Sequence, residues 1–351
     1  MDSIRRQNKC FQFSIAYRSM FFYQNNIHSP LQGIEDERLD AHQVRLFIKR
    51  DDLIHPSVSG NKFRKLKYNL LEMKRLGKQG LITFGGAFSN HIHAVAAAGQ
   101  LMNVPTVGVI RGERPEGLNA TLAFAESCGM TLHFVSRSAY RNKDLIIKDL
   151  ENHFPNYYVL PEGGTNTLAM QGAAEIVPEI IEQLGATPDY ICLACGTGGT
   201  TAGIVSAATT LPKPINVLGF AALKGDFLEN DVLELLINAQ KEQNTEGVLN
   251  EKQCFFEQKK HWSIQNDYHF GGYAKWTRPL IDFINDFKTQ HNIALDPVYT
   301  GKMLYGVFDL IEKGFFPKNT TIIAVHTGGL QGIEGFNARF GNLIQVQDTE
   351  I

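Results

Sequence analysis

The sequence predicts an α/β protein with two open, twisted, mostly parallel sheets covered by helices. Three observations predict it. Short segments rich in β-branched and aromatic residues alternate with helix-like stretches along most of the chain. Those segments are apolar throughout rather than at every second residue, as strands covered on both faces are. They are also too numerous for one sheet of ordinary width. In order, the strands are Leu81–Phe84, Val104–Ile110, Thr131–Val135, Tyr157–Leu160, Asp189–Cys195, Ile215–Phe220 and Thr320–Val325. Helices lie between most of them. In Lys62–Lys74 the residues Phe63, Leu66, Leu70 and Met73 recur at helical spacing, and Ala94–Leu101 and Leu168–Leu184 read alike.

Composition narrows the function classes. The 351 residues are 43% hydrophobic and carry 34 Lys plus Arg against 36 Asp plus Glu, a net charge of −2. That apolar fraction belongs to a folded chain. The charge balance leaves no footprint for nucleic acid. No run approaches the roughly 18 apolar residues of a membrane helix. We therefore expect neither nucleic acid nor membrane as a partner. The length allows one large domain or two ordinary ones. The division expected is an extension over 1–27, a small α/β domain over 67–166, and a large domain from 28–66 plus 167–351. The polar stretch Gln240–Gln253 reads as a surface loop. At the N-terminus, Arg5, Arg6 and Lys9 imitate the basic region of a signal peptide. Gln12 and Arg18 interrupt the apolar part, and no small-residue cleavage site follows.

Five scattered cysteines make no disulfide framework and point to a reducing, cytoplasmic compartment. Cys192 and Cys195 form a C-x-x-C inside the strand YICLACG. No second ligand pair stands at zinc spacing, so core is the expected role and no metal is assigned.

Four glycine-bearing segments carry the chemistry. In SGNKFRKLKY, Ser59 or Asn61 could cap a helix starting near Lys62. A helix start disfavours the ammonium form, and a neutral amine is what imine chemistry requires. Lys62 is a candidate for that chemistry, although a solvated lysine beside Arg64, Lys65 and Lys67 is the plainer reading. In TFGGAFSNHIH, Ser89 and Asn90 open an Ala-rich helix whose free N–H groups suit a carboxylate or phosphate. His91 and His93 are two apart on that helix and point about 200° from each other, so a shared metal is not expected. In CGTGGTTAG, residues Gly196, Thr197, Gly198, Gly199 and Thr200 follow a strand and open a helix. That is a phosphate cradle without the Walker or dinucleotide signature, since Thr201 stands where a third glycine would. In HTGG, His326–Gly329, a strand again ends on glycines. An imine lysine, a phosphate cradle and hydroxyl-bearing turns together meet the needs of pyridoxal phosphate.

These segments, with LDPVYTGK (Leu295–Lys302), stand in one order over residues 28–340. Together they resemble the 1-aminocyclopropane-1-carboxylate (ACC) deaminase and D-cysteine desulfhydrase family, pyridoxal-phosphate enzymes of the tryptophan-synthase-β fold type. The resemblance implies Lys62 as the Schiff-base lysine and Lys65 as a phosphate ligand. It implies Ser89 and Asn90 facing the substrate carboxylate and the cofactor O3′, with His91 beside the substrate. Gly196–Thr200 would wrap the phosphate, Tyr299 would flank the ring, and Thr300 would bond the pyridine nitrogen. Tyr273 in GGYAKW would be a second active-site tyrosine, although its flanks depart from the family's glycine–tyrosine–glycine pattern. The resemblance also implies a homodimer. ACC deaminases carry glutamate and leucine at the positions of Thr300 and Thr327, whereas desulfhydrase-like members carry small hydroxyl residues. A threonine holds a proton on the ring nitrogen less firmly, and expulsion of thiolate needs less electron withdrawal than opening a cyclopropane. The expected reaction is α,β-elimination from a small amino acid of the D-cysteine type, giving pyruvate, ammonia and sulfide. ACC deamination, a racemase or dehydratase activity, and a non-catalytic binding relative are the alternatives.

Overall fold

The computed structural model describes residue 22 and residues 27–243 and 259–345. In chain order the elements are β1 (Leu31–Ile34), α1 (Glu37–His42), β2 (Arg45–Lys49), α2 (Asn61–Arg75), β3 (Gly80–Gly86), α3 (Asn90–Met102) and β4 (Thr106–Arg111). There follow α4 (Ala120–Ser127), β5 (Thr131–Val135), α5 (Lys143–His153), β6 (Tyr157–Leu160), α6 (Thr167–Ala174), α7 (Ile176–Leu184) and β7 (Tyr190–Cys195). The chain continues with α8 (Gly199–Ala208), β8 (Asn216–Ala221), α9 (Leu228–Gln243), β9 (Trp262–Gln265), α10 (Arg278–His291), α11 (Thr300–Glu312), β10 (Thr321–Val325) and α12 (Gly332–Phe340).

They form two sheets. One has the order β1-β2-β10-β7-β8-β9 and the other β5-β4-β3-β6. Every pairing is parallel except β1 with β2. Uniformly apolar strands follow from this, because both faces are covered. In β7, Ile191, Leu193 and Cys195 join one buried layer while Cys192 and Ala194 join the other. Strand side chains alternate, so Cys192 and Cys195, three apart, face opposite layers and share no ligand. The four-stranded sheet behaves alike, with Leu81 and Ile110 in one layer and Ile82 and Phe84 in the other. Among the described residues no helix is long and apolar enough to cross a membrane.

All seven expected strands are present, with three more. β2 escaped because it reads RLFIK, charged at both ends. Its Lys49 is buried, donating to the Ser29 carbonyl at 2.6 Å and pairing with Glu179 at 2.9 Å. β1 and β9 have four residues each, too few to show a period. The single helix expected over Leu168–Leu184 is two. Pro178 has no N–H for the Ala174 carbonyl, so the first helix stops there. Residues 240–243 of the expected loop belong to α9, and the rest of that stretch lies outside the described residues. Of the N-terminal extension, Phe22 is fully buried and stacks on Phe63 at 5.2 Å. The remainder, except Ile27, lies outside the described residues.

Helix α2 is anchored by charge. Arg64 is fully buried and bonds both Asp51 oxygens, at 2.8 and 2.7 Å, and both Glu179 oxygens, at 2.6 and 2.8 Å. A bidentate, satisfied guanidinium fixes position well, although its net contribution to stability is small. Removing one carboxylate would strand a buried charge, so this pairing holds the start of α2 in one place.

Candidate active site

The C-terminal ends of β3, β4, β7 and β10 open on one cavity of about 900 Å³. Ligands of open α/β sheets bind at such ends. The volume is near the top of the roughly 300–1,000 Å³ range of small-molecule sites.

Lys62 enters this cavity from the first turn of α2. The helix is capped differently from expectation. Gly60 occupies the N-cap with φ of 62°, and neither Ser59 nor Asn61 caps it. A Cβ on Gly60 would lie 1.9 Å from the Thr327 carbonyl oxygen, which accepts from the Asn61 N–H at 3.2 Å. Only glycine lets this turn lie against the end of β10. Lys62 Nζ donates to Asn61 Oδ1 at 3.2 Å, and Asn61 Nδ2 donates to Thr200 Oγ1 at 2.9 Å. Burial disfavours the ammonium form of Lys62 and brings its pKa down to about 8.

Lys65 lies one turn further along α2 and is buried. Its Nζ donates to the Gly163 carbonyl and Thr165 Oγ1, both at 3.0 Å, and to Thr197 Oγ1 at 3.5 Å. Every partner is neutral. Burial, then the nearby Lys62 ammonium, hold its pKa well below the usual lysine range. The turn Gly196–Thr200 wraps this cation. A Cβ on Gly199 would lie 3.0 Å from Lys65 Nζ, so the glycine is what admits the ammonium. A Cβ on Gly196 would lie 3.1 Å from the Tyr299 ring.

Ser89 caps α3, its Oγ accepting from the N–H groups of His91 at 3.2 Å and Ile92 at 3.3 Å. Two N–H groups expected to be free are thereby taken. The Ser89 proton and the Asn90 side chain remain, and both residues line the cavity. His91 lines it too, with Nε2 2.8 Å from Thr83 Oγ1 and a buried Nδ1 without a partner. Burial first, then Lys62 and Lys65, keep this imidazole neutral. His93 faces elsewhere, stacking on Phe124 at 3.9 Å. Tyr273 and Tyr299 meet at the opposite wall with ring centroids 6.2 Å apart. Burial raises both hydroxyl pKa values, Tyr299's the more strongly.

One expected placement is not found. Thr300 does not line the cavity: it is fully buried, its hydroxyl donates to Asp296 Oδ2 at 2.6 Å, and it accepts from the Asp296 N–H at 3.0 Å. Its one proton is committed to Asp296, so this hydroxyl has none to donate to a ring nitrogen. Thr327 is the threonine in the cavity wall. Arg111, Arg137, Tyr140 and Arg141 also line the cavity and were not singled out from sequence.

The donor set fits pyridoxal phosphate. A buried ammonium without a carboxylate, inside a glycine turn, calls for a dianion. Lys65 and Gly196–Thr200 would hold the phosphate, Lys62 the aldehyde carbon, and Asn90 the phenolic oxygen.

Residues 27–328 match the family of pyridoxal-phosphate dependent enzymes. A Pyrococcus furiosus protein named for 1-aminocyclopropane-1-carboxylate deaminase is 32% identical over 296 residues, 82% of this chain and 85% of that protein. The Arabidopsis thaliana bifunctional D-cysteine desulfhydrase/1-aminocyclopropane-1-carboxylate deaminase, mitochondrial, is 30% identical over 92% of this chain and 79% of its own. The solved structure of an ACC deaminase homologue superposes with a TM-score of 0.75 at 28% identity, covering 90% of this chain and 94% of its own. With a buried ammonium in a glycine cradle and a low-pKa lysine beside it, this chain belongs to the pyridoxal-phosphate-dependent enzymes.

Proposed function

We propose that the chain is a pyridoxal-phosphate-dependent lyase that eliminates the β-substituent of a small amino acid of the D-cysteine type, releasing pyruvate, ammonia and sulfide. The observation that carries this reading is the pairing of Lys62 and Lys65 in one cavity. Burial disfavours the charged form of both amines, and an anion in the glycine turn beside Lys65 would restore its charge. When bound, pyridoxal phosphate supplies the aldehyde and a ring that accepts charge from the substrate Cα.

The chain's own residues do the rest. Lys62, partly neutral near pH 8, takes the Cα proton as general base. Ser89 and Asn90 orient the substrate carboxylate. His91, neutral and one nitrogen free, completes that wall without adding charge. The Tyr273 and Tyr299 hydroxyls stay protonated at working pH and give a proton to the leaving group. The choice of thiolate elimination over ring opening rests on Thr327 and on the carboxylates of the cavity wall. Glu162 is the one carboxylate among the described cavity-lining residues, and it is bonded to Lys143 at 2.6 Å. Nothing acidic therefore holds a proton on the ring nitrogen. ACC deamination is the second reading, supported by the names of the relatives. The same reading carries a homodimer and a cytoplasmic location.

The test is a parallel turnover assay on the holoenzyme. D-Cysteine should give sulfide and pyruvate, and ACC should give no 2-oxobutyrate. Lys62→Ala should lower turnover about 10³-fold, the loss expected of a positioned general base. Near-normal turnover in that variant would overturn the reading, and 2-oxobutyrate from ACC would replace it by the second one.

A further inference from the structure

Away from Lys62, the same cavity carries a charge cluster that the elimination above does not use. Arg111 ends β4, and Arg137, Arg141 and Lys143 come from the turn before α5 and its first residue. Lys143 is paired with Glu162. Among the described residues, none of the three arginines has a carboxylate within ion-pair distance. Between them lies Tyr140, 3% exposed, with Arg111 5.7 Å and Lys143 5.5 Å from its ring centre. Its buried hydroxyl has no hydrogen-bond partner. Burial, then the Glu162 carboxylate, push the Tyr140 hydroxyl pKa up, and Arg111 opposes them; Arg111 also lowers the Tyr273 hydroxyl pKa, against burial. Arg111 thus lines the same cavity as Tyr140, Tyr273 and Lys62.

We infer that this wall is a subsite for a second anion, so that the substrate class extends to amino acids whose β-substituent is itself ionised. The inference rests on the elimination reading and deepens it. Unpaired guanidinium groups at a cavity wall bind carboxylate, sulfonate or phosphate oxygens through paired N–H donors, which a neutral side chain cannot use. The Tyr140 hydroxyl, kept protonated by burial and the neighbouring Glu162, supplies a further donor. The cavity volume of about 900 Å³ leaves room for such a group beyond the reacting carbons. In the reaction, the Cα–H bond breaks with its proton passing to Lys62. The Cβ–X bond breaks with its electron pair leaving on X, and a Cα–Cβ double bond forms. Water then gives pyruvate and ammonia. No oxidant or reductant is needed, and a cationic wall favours departure of X as an anion.

Aspartate and asparagine separate charge from shape, and neither carries a leaving group. Both enantiomers of each are titrated into the holoenzyme by calorimetry and by the change in cofactor absorbance. Aspartate should bind about tenfold more tightly than asparagine, the worth of one charge-assisted contact. Arg111→Gln should remove that preference while leaving asparagine affinity within about twofold, as expected where only a charge contact is lost. Equal affinities, tighter asparagine, or no binding of either ligand overturns the inference. So does a preference that survives in both Arg111→Gln and Arg141→Gln. Failure of the elimination reading looks different: D-cysteine then gives neither sulfide nor pyruvate, whatever the two affinities are.

Discussion

The Thr300 hydroxyl donates to Asp296 Oδ2 at 2.6 Å, and the Asp296 N–H donates back to it at 3.0 Å. The same carboxylate accepts from the N–H groups of Val298, Tyr299 and Thr300 at 2.8–2.9 Å. Asp296 thus gathers the N–H groups of the turn leading into α11 and sets the place of Tyr299. Thr300 belongs to that knot rather than to the cavity. Thr300→Val should lower stability by about 2 kcal/mol, since a buried carboxylate loses a donor and a buried N–H its acceptor. The affinity for pyridoxal phosphate and the visible absorbance maximum should barely move. Urea unfolding and a cofactor titration check this. Unchanged stability with a shifted maximum would return Thr300 to the ring nitrogen.

Lys65 tests the phosphate cradle. Its ammonium is buried against neutral oxygens, so in the cofactor-free chain its charge is held at a cost. Lys65→Met should leave the cofactor-free chain as stable as the parent or more so. Pyridoxal phosphate should bind about 100-fold more weakly, the loss of a charge-assisted contact in a dry site. Fluorescence titration reads the affinity and thermal unfolding reads the stability. A drop in stability with unchanged affinity would make Lys65 a structural residue.

How far such residues were legible depends on what each one's neighbours add. The strands of both sheet centres were readable because burial on two faces leaves an unbroken apolar run, as in β7 and β10. β2 was not, because Lys49 is buried only by virtue of Glu179, 130 residues later in the chain. At the site, Lys62, Lys65 and Gly196–Thr200 were legible as residue types at a strand-to-helix turn. Arg111 and Tyr140 were not, because nothing local separates them from surface residues until β4 and the turn before α5 face the same cavity. Thr300 is the converse case. Its motif was clear, but the competing acceptor at Asp296, four residues back, outranks the cavity.

Lys62 sets a pH dependence. A free lysine near 10.4 is almost wholly charged at neutral pH, whereas burial brings this one to about 8. The neutral amine attacks the cofactor aldehyde, so uptake by the cofactor-free chain should speed up as pH rises and level off above 8. The midpoint should lie near 8, and near 10 for a lysine in the unfolded chain. Stopped-flow absorbance between pH 6 and 10 checks it. A flat profile, or one still climbing at pH 10, would show that Lys62 is not desolvated.

Lys302 governs the position of Tyr273. It is buried, and its Nζ donates to the carbonyls of His269 and Gly272, both at 2.8 Å, closing the turn just before Tyr273. Burial brings its pKa down to about 8, with Asp296 pulling the other way. Between pH 8 and about 10.4 the unfolded chain binds more protons at this lysine than the folded chain does, so stability rises with pH across that window. Lys302→Met should remove roughly 2 kcal/mol of that rise, read as the difference in urea-unfolding free energy between parent and variant at pH 8 and pH 10. The same variant should lose about tenfold in kcat with unchanged cofactor affinity, because two freed carbonyls loosen the turn and Tyr273 leaves its contact with Tyr299. A difference that stays flat with pH would refute the buried charge. An unchanged kcat would show that Tyr273 is positioned by its ring contacts alone.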